Sequence, residues 1–190
     1  MTVRRGDYTS PDTLKEAFAG GKKLLLVSGP SVHDTERFNQ HRAAIDAAIA
    51  VGIEHIYYTS LAFATDSVTA VMKAHLRTEA YLKEKDVKYT IMREGIYSES
   101  IALYLGFFDP TFPNDETLIE ISNDGPIPWV SRSDLGARTA KLMTLDDYVN
   151  KAVLLSGDKA YTIAETAPLM GMVVGKKVSV KVVSKDEYIF

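Results

Sequence analysis

Several side chains in this 190-residue sequence stand where chemistry could be done. Ser60 closes the apolar run His55–Thr59, and Tyr97 follows Arg93-Glu94-Gly95 after a second run, Lys88–Met92. His75 lies between them, with Thr78 and Glu79 one turn along the same helical pattern. A histidine relays protons near neutral pH, and a phenol donates to a carbonyl-type oxygen. Each residue also has an ordinary alternative: a strand-end turn serine, a histidine packed between sheet and helix, a rim tyrosine. Tyr81-x-x-x-Lys85 has the spacing of a catalytic tyrosine–lysine pair. It sits too deep in the helix for that work, roughly 18 Å from the strand ends, so a core-packed ring and a helix-terminal cation are expected instead. His33, His41 and His55 share no ligand spacing, so no metal site is expected. Asp146-Asp147 and Asp115-Glu116 read as solvated charges, and there is no cysteine nucleophile.

The elements that must position these groups centre on His55–Glu99. Two β-branched and aromatic runs flank a 3.6-period stripe from about Val68 to Lys85, a strand–helix–strand unit. A crossover of that length joins parallel strands, and parallel sheets bind ligands beyond their carboxyl ends. Ser60, Leu61, Arg93, Gly95 and Tyr97 fall there.

Upstream, Val3–Asp7 reads as a strand tail. Ser10-Pro11 opens a helix that Gly20-Gly21 ends, Leu24–Ser28 reads as a strand covered on both faces, and Ser28-Gly29-Pro30-Ser31 is a turn. A second helix spans Glu36–Val51, with Gly52 as its stop. The alternation argues for an α/β sheet. Downstream, Ser100–Phe107 reads as a short helix. Ile119–Ile121 and Trp129–Val130 read as strands around an Asp124-Gly125-Pro126 turn, and Ser133–Thr144 as a helix capped by Ser133. Ala152–Leu155 and Ala160–Thr162 read as strands, Ile163–Val174 as an irregular helix and Val178–Val183 as a strand. The expected division is a domain over 1–99 and a small α+β lobe over 100–190, packed as one unit. Hydrophobic residues make up 46% and net charge is −3, which suits a globular chain and shows no basic stripe for nucleic acid or membrane. The first ten residues hold no apolar signal segment, so a cytoplasmic location is expected.

Taken together, Gly6-Asp7-Tyr8, Leu24–Pro30, His41 with Ala44-Ile45 and Ala47-Ala48, His55–Ala64, His75-x-x-Thr78-Glu79, Tyr89–Glu99 and Val130–Leu135 resemble the NmrA-like family of atypical short-chain dehydrogenases, including its NAD(P)H-quinone oxidoreductase branch. The resemblance implies a Rossmann-like parallel sheet with helices on both faces, followed by a substrate lobe. It implies hydride transfer from NADP(H) or NAD(H) to a quinone, imine or carbonyl small molecule. Asp7 and Tyr8 would contact adenine, and Ser28, Gly29 and Pro30 would pass the nicotinamide ribose. Ser60 would lie near the nicotinamide, His75 would take the place of the classical catalytic lysine, and Tyr97 would line the substrate mouth.

The sequence departs from the family pattern at both ends: its C-terminus is short against many relatives, and it has no Gly-x-Gly-x-x-Gly or Gly-x-x-Gly-x-x-Gly turn. Against the family pattern, about fifty to sixty residues, roughly two strand–helix units, are missing before the first strand. Such a truncated sheet is expected to bind dinucleotide weakly or not at all. Its Leu24–Ser28 strand becomes an edge, to be covered by a rerouted N-terminus or by a second copy in a homodimer. Two other functions then stand beside the reductase: a cofactor-independent isomerase or cyclase using His75, Tyr97 and Glu94, and a non-catalytic, redox-sensing partner-binding regulator.

Overall fold

The computed structural model describes residues 2–62, 67–101 and 116–189. Along the chain the strands are β1 (Lys23–Leu26), β2 (His55–Leu61), β3 (Lys88–Glu94), β4 (Glu116–Ile121), β5 (Lys151–Leu155) and β6 (Lys177–Val182). The helices are α1 (Pro11–Phe18), α2 (Asp34–Ala50), α3 (Ala70–Lys83), α4 (Arg132–Leu142), α5 (Ile163–Val174) and α6 (Lys185–Ile189). The chain divides into two units, Met1–Glu94 with Gly136–Leu155, and Gly95–Leu135 with Ser156–Phe190. Residues 136–155 thus return to the first unit, where the sequence suggested a single break after Glu99.

In the first unit, four parallel strands run in the order β1-β2-β3-β5. The two-residue period of a strand stacks side chains in layers across the sheet. On the face that carries α2 and α3, Leu24, Ile56 and Tyr89 form one layer, and Leu26, Tyr58 and Ile91 the next. Leu26, Ile56, Tyr58 and Ile91 are fully buried against Ala44, Ile45, Ala48 and Leu82. The alanines let the two helices approach closely, and each large aliphatic side chain sealed here contributes about 1.5–3 kcal/mol. One step further along the strands the pattern turns polar, at Ser28, Ser60 and Arg93. On the opposite face residues 143–148 bond to the strands: Lys23 Nζ donates to Met143 O at 2.8 Å, and Thr90 Oγ1 to Tyr148 O at 2.9 Å. His55 stacks on Tyr57 there, with ring centroids 4.0 Å apart.

Three expectations for this unit need correction. Residues 2–6 join no strand ladder, and Asp7 forms only an isolated bridge with Ser10. β1 is shorter than expected, although it does lie at the sheet edge among the described residues, as expected. Its covered face holds Leu24 and Leu26, whereas Leu25 and Val27 are exposed, so the apolar run is not buried on both sides. Beside β1 runs a groove of about 660 Å³, with Thr2, Arg4 and Gly6 on its far wall. Tyr8 reaches across at that end, its hydroxyl donating to Val27 O at 3.2 Å.

In the second unit, β4 and β6 pair in parallel, and Ile119, Ile121, Ile163, Ala167 and Val178 form the core with Trp129 against it. Four hydrogen bonds hold the start of α5. Thr162 and Glu165 form a reciprocal capping box, and Asp124 Oδ1 accepts from Ile163 N at 2.7 Å and Ala164 N at 3.2 Å. These bonds satisfy N–H groups that have no intrahelical partner. The helix runs unbroken from Ile163 to Val174 with Pro168 inside it, where an irregular one was expected. Trp129–Val130 and Ala160–Thr162 are not strands: Val130 bridges only Tyr97, and Tyr161 bridges only Ile127. The cap of α4 is Ser131 and not Ser133, for Ser131 Oγ accepts from Asp134 N at 3.0 Å. The expected helix over Ser100–Phe107 lies almost wholly outside the described residues.

Gly157 packs with no room for a side chain, since a Cβ there would fall on the carbonyl oxygen of Trp129, a backbone atom. Gly157→Ala is therefore expected to destabilise the protein by about 1–3 kcal/mol. A lowered urea midpoint at unchanged slope would show this, and an unchanged midpoint would refute it.

Candidate functional site

The polar layer of the first unit lies at the carboxyl ends of β1, β2 and β3, where the N-terminal halves of α2 and α3 arrive. Parallel β-α-β topology brings those halves to that end of the sheet. On α2, His41 precedes Ala44, Ile45 and Ala48 on the buried face. On α3, His75, Thr78, Glu79 and Leu82 share one stripe. The stripe is apolar at Leu82, beside the Ile56 layer, and polar at His75 and Glu79, which meet the Tyr58 hydroxyl and Ser60.

Two connected sets of hydrogen bonds result. His41 Nδ1 lies 2.9 Å from Thr78 Oγ1 and 3.3 Å from the Tyr58 hydroxyl, which lies 2.7 Å from His75 Nδ1. On its other side, His41 Nε2 faces Ser28 Oγ at 3.1 Å and accepts from Gly29 N at 3.3 Å. Arg37 binds Ser28 Oγ at 2.8 Å and also the Ser31 carbonyl. In the second set, Glu79 receives Ser60 Oγ at 2.7 Å and a two-pronged pair from Arg93, at 2.9 and 2.6 Å. Lys83 Nζ stands 3.7 Å from the same carboxylate.

Burial drives the electrostatics. It pushes His41 down to about 3, helped by the nearby charges of His75 and Arg37. It pushes His75 down to about 4, Arg37 adding to the effect and Glu79 opposing it. Both rings are neutral at pH 7. Burial raises Tyr58 well above an ordinary phenol. Burial also pushes the Glu79 carboxyl up, but the hydrogen bonds from Arg93 and Ser60 and the charges of Arg93 and Lys83 outweigh it, leaving Glu79 below the usual carboxylate value.

The structure brings Ser28, Gly29, Ser60 and His75 into this one layer. Ser60 and His75 are both buried, and the Ser60 hydroxyl is committed to Glu79. Pro30 is exposed beyond the layer. Asp7 is exposed, its Oδ1 accepting from Thr9 N and Thr9 Oγ1 at 2.8 and 2.7 Å, while Tyr8 is half-buried. Tyr97 belongs to the second unit, where Ser98 N and the Tyr97 bridge fasten its segment to Val130. Tyr81 donates to Asp46 Oδ1 at 2.6 Å with Lys85 Nζ 4.0 Å from its ring centroid, a helix–helix fastening at the far end of α3. Sequence reasoning missed Tyr58 and Arg37, and used His41 and Arg93 only as landmarks. The available signal was the two-residue period, which places Tyr58 and Ser60 on the face of α2 and α3.

A groove of about 1050 Å³ lies elsewhere, between α1 and α2, with Tyr8, Lys15, Arg42 and Tyr81 on its walls. None of the polar-layer residues lines it. Among the described residues no three His, Asp or Glu side chains gather to hold a metal ion, and no helix is long and apolar enough to cross a membrane.

Residues 1–103 match the model of a family described as NAD(P)H-binding. The chain is 36% identical to an NmrA-like family domain-containing oxidoreductase, flvB, of Aspergillus flavus, across 100% of this chain and 62% of that one. It is 34% identical to quinone oxidoreductase 2 of Escherichia coli, across 99% of this chain and 64% of that one. Its fold is similar to that of Citrobacter sp. triphenylmethane reductase complexed with NADP(H), with a TM-score of 0.84, 31% identity, and coverage of 98% of this chain and 65% of that one. The chain therefore spans less than two thirds of the length of these relatives.

Proposed function

The chain belongs to the NAD(P)H-binding family, and from that premise we propose that it serves the NAD(P)H-dependent reduction of a quinone, imine or carbonyl small molecule. The polar layer at the carboxyl edge of the parallel sheet carries this reading, because such sheets hold their ligands at that edge.

The donor set suits the nicotinamide–ribose end of a dinucleotide. His75 offers a neutral N–H, and the Ser28 and Ser60 oxygens, whose hydrogens go to His41 and Glu79, offer lone pairs; such groups match hydroxyls and an uncharged amide. The two guanidiniums of the layer are committed to Glu79 and to Ser28 and Ser31. When bound, reduced nicotinamide supplies a hydride, and the acceptor takes it up with a proton. Ser28, Gly29 and Pro30 would hold the ribose, with Asp7 and Tyr8 on the adenine side. Gly29 presents bare backbone at a point where a Cβ would come 2.8 Å from Gln40 Oε1. His75, neutral at pH 7, would orient an oxygen of the ligand by a hydrogen bond rather than by charge. NADPH is the first nucleotide to try, because the Citrobacter relative is seen with NADP(H).

Titration of the 190-residue chain with NADPH and NADH, by calorimetry or fluorescence, tests the reading directly. The missing glycine-rich turn argues for weak binding, so micromolar binding, with NADPH consumed on adding a quinone, is the result this reading requires. Loss of one ligand hydrogen bond in His75→Leu is expected to lower turnover about tenfold. A folded chain that binds neither nucleotide would overturn the reading and favour cofactor-free chemistry or a protein partner. The mass in solution, measured alongside, tests whether a second copy covers the β1 edge.

A further inference from the structure

The hydrogen bonds around His41 have a direction, and that direction starts at the main chain. The Gly29 amide can only donate, and it meets His41 Nε2 at 3.3 Å. That nitrogen therefore presents a lone pair. Ser28 Oγ receives Arg37 Nη1 at 2.8 Å, which leaves its own hydrogen to point at the same nitrogen 3.1 Å away. With two donors converging on Nε2, the neutral ring carries its hydrogen on Nδ1. There it meets Thr78 Oγ1 at 2.9 Å and the Tyr58 oxygen at 3.3 Å. Thr78 already donates to Ala74 O at 2.8 Å, so toward His41 it accepts. Tyr58, accepting from His41, sends its hydrogen to His75 Nδ1, 2.7 Å away. His75 then holds its own hydrogen on Nε2.

We propose that His41 is a positioning residue. It transmits the direction of the Gly29 amide through Tyr58, and so holds His75 as a neutral Nε2–H donor for a lone-pair oxygen of the ligand. The two rings are locked in opposite tautomers. That His75 meets a ligand rests on the reading in the preceding subsection; the tautomers do not.

Long-range nitrogen–proton NMR of the histidine rings in the unliganded full chain reads this out at neutral pH. In the wild type His41 is expected as Nδ1–H and His75 as Nε2–H. Two near-isosteric variants then separate polarity from packing. His41→Asn sets an amide N–H where Nδ1–H stood, and His75 keeps its tautomer. His41→Asp sets an acceptor there, so Tyr58 turns its hydrogen around and the protonated nitrogen of His75 shifts from Nε2 to Nδ1. A wild-type His41 protonated on Nε2 or on both nitrogens overturns the proposal without any variant. So does a folded His41→Asp protein whose His75 is unchanged. A wild type with these tautomers that binds neither nucleotide leaves the inference standing and removes the reductase reading.

Discussion

Replacing Arg93 with methionine is expected to destabilise the protein by about 3 kcal/mol, and Glu79→Gln by less than half as much. The asymmetry comes from exposure: the Glu79 side chain is 2% accessible and that of Arg93 30%. Without Arg93, the carboxylate stays buried with only the Ser60 hydroxyl and a Lys83 ammonium 3.7 Å away. Without the Glu79 charge, the guanidinium turns toward water, and the glutamine carbonyl still accepts from Ser60. The paired carboxyl titrates below its ordinary value, so its contribution to stability is complete above about pH 4.5 and is lost as pH falls further. Arg93→Met should erase that acid step. Urea midpoints of the two variants decide the matter; equal losses would sink the argument.

Acid should weaken the protein well before Glu79 titrates. His41 and His75 have folded-state values of about 3 and about 4, below the 6.5 of an unfolded histidine. Between those limits the unfolded chain binds protons that the folded chain refuses, so stability falls as pH falls. At pH 5 the linkage amounts to about 2 kcal/mol for each ring, close to 4 for both, against a total of about 5–15 kcal/mol for a typical domain. Urea denaturation between about pH 7.5 and 5 should show the loss. His41→Asn should flatten the curve by about half, because asparagine does not titrate. A flat wild-type curve would mean that the buried rings take up protons as readily as histidines in the unfolded chain.

Much of the frame was legible in the sequence because periodicity is local. His55–Leu61, Ala70–Lys83 and Lys88–Glu94 fall within a few residues of the runs that announced them. Periodicity also placed Ser60 at a strand end and His75 on a helix face, while the roles given to them came from the family resemblance. The partners of those residues were not legible. His41 and Thr78 are 37 positions apart, and a histidine among alanines on a helix reads equally well as plain core. Tyr58 looked like one more apolar strand residue, because its hydroxyl acquires meaning only where α2 and α3 converge. The runs at Trp129–Val130 and Ala160–Thr162 had strand composition without a ladder to join. Asp124 looked like a turn residue and proves to hold the amides of α5, 39 and 40 residues away.

The return of β5 to the first sheet has a consequence during synthesis. β5 pairs with β3 over Thr90↔Lys151 to Glu94↔Leu155, so that edge of β3 waits for a strand sixty-one residues further along, 155 minus 94. At about 5–20 residues per second, the ribosome takes roughly 3–12 s to deliver it. Throughout that interval Ile91 and Met92, both sealed in the finished protein, belong to a sheet with an open margin. The nascent chain is then at its most adhesive, and slowing translation after residue 94 should lower the soluble yield more than slowing it after residue 155.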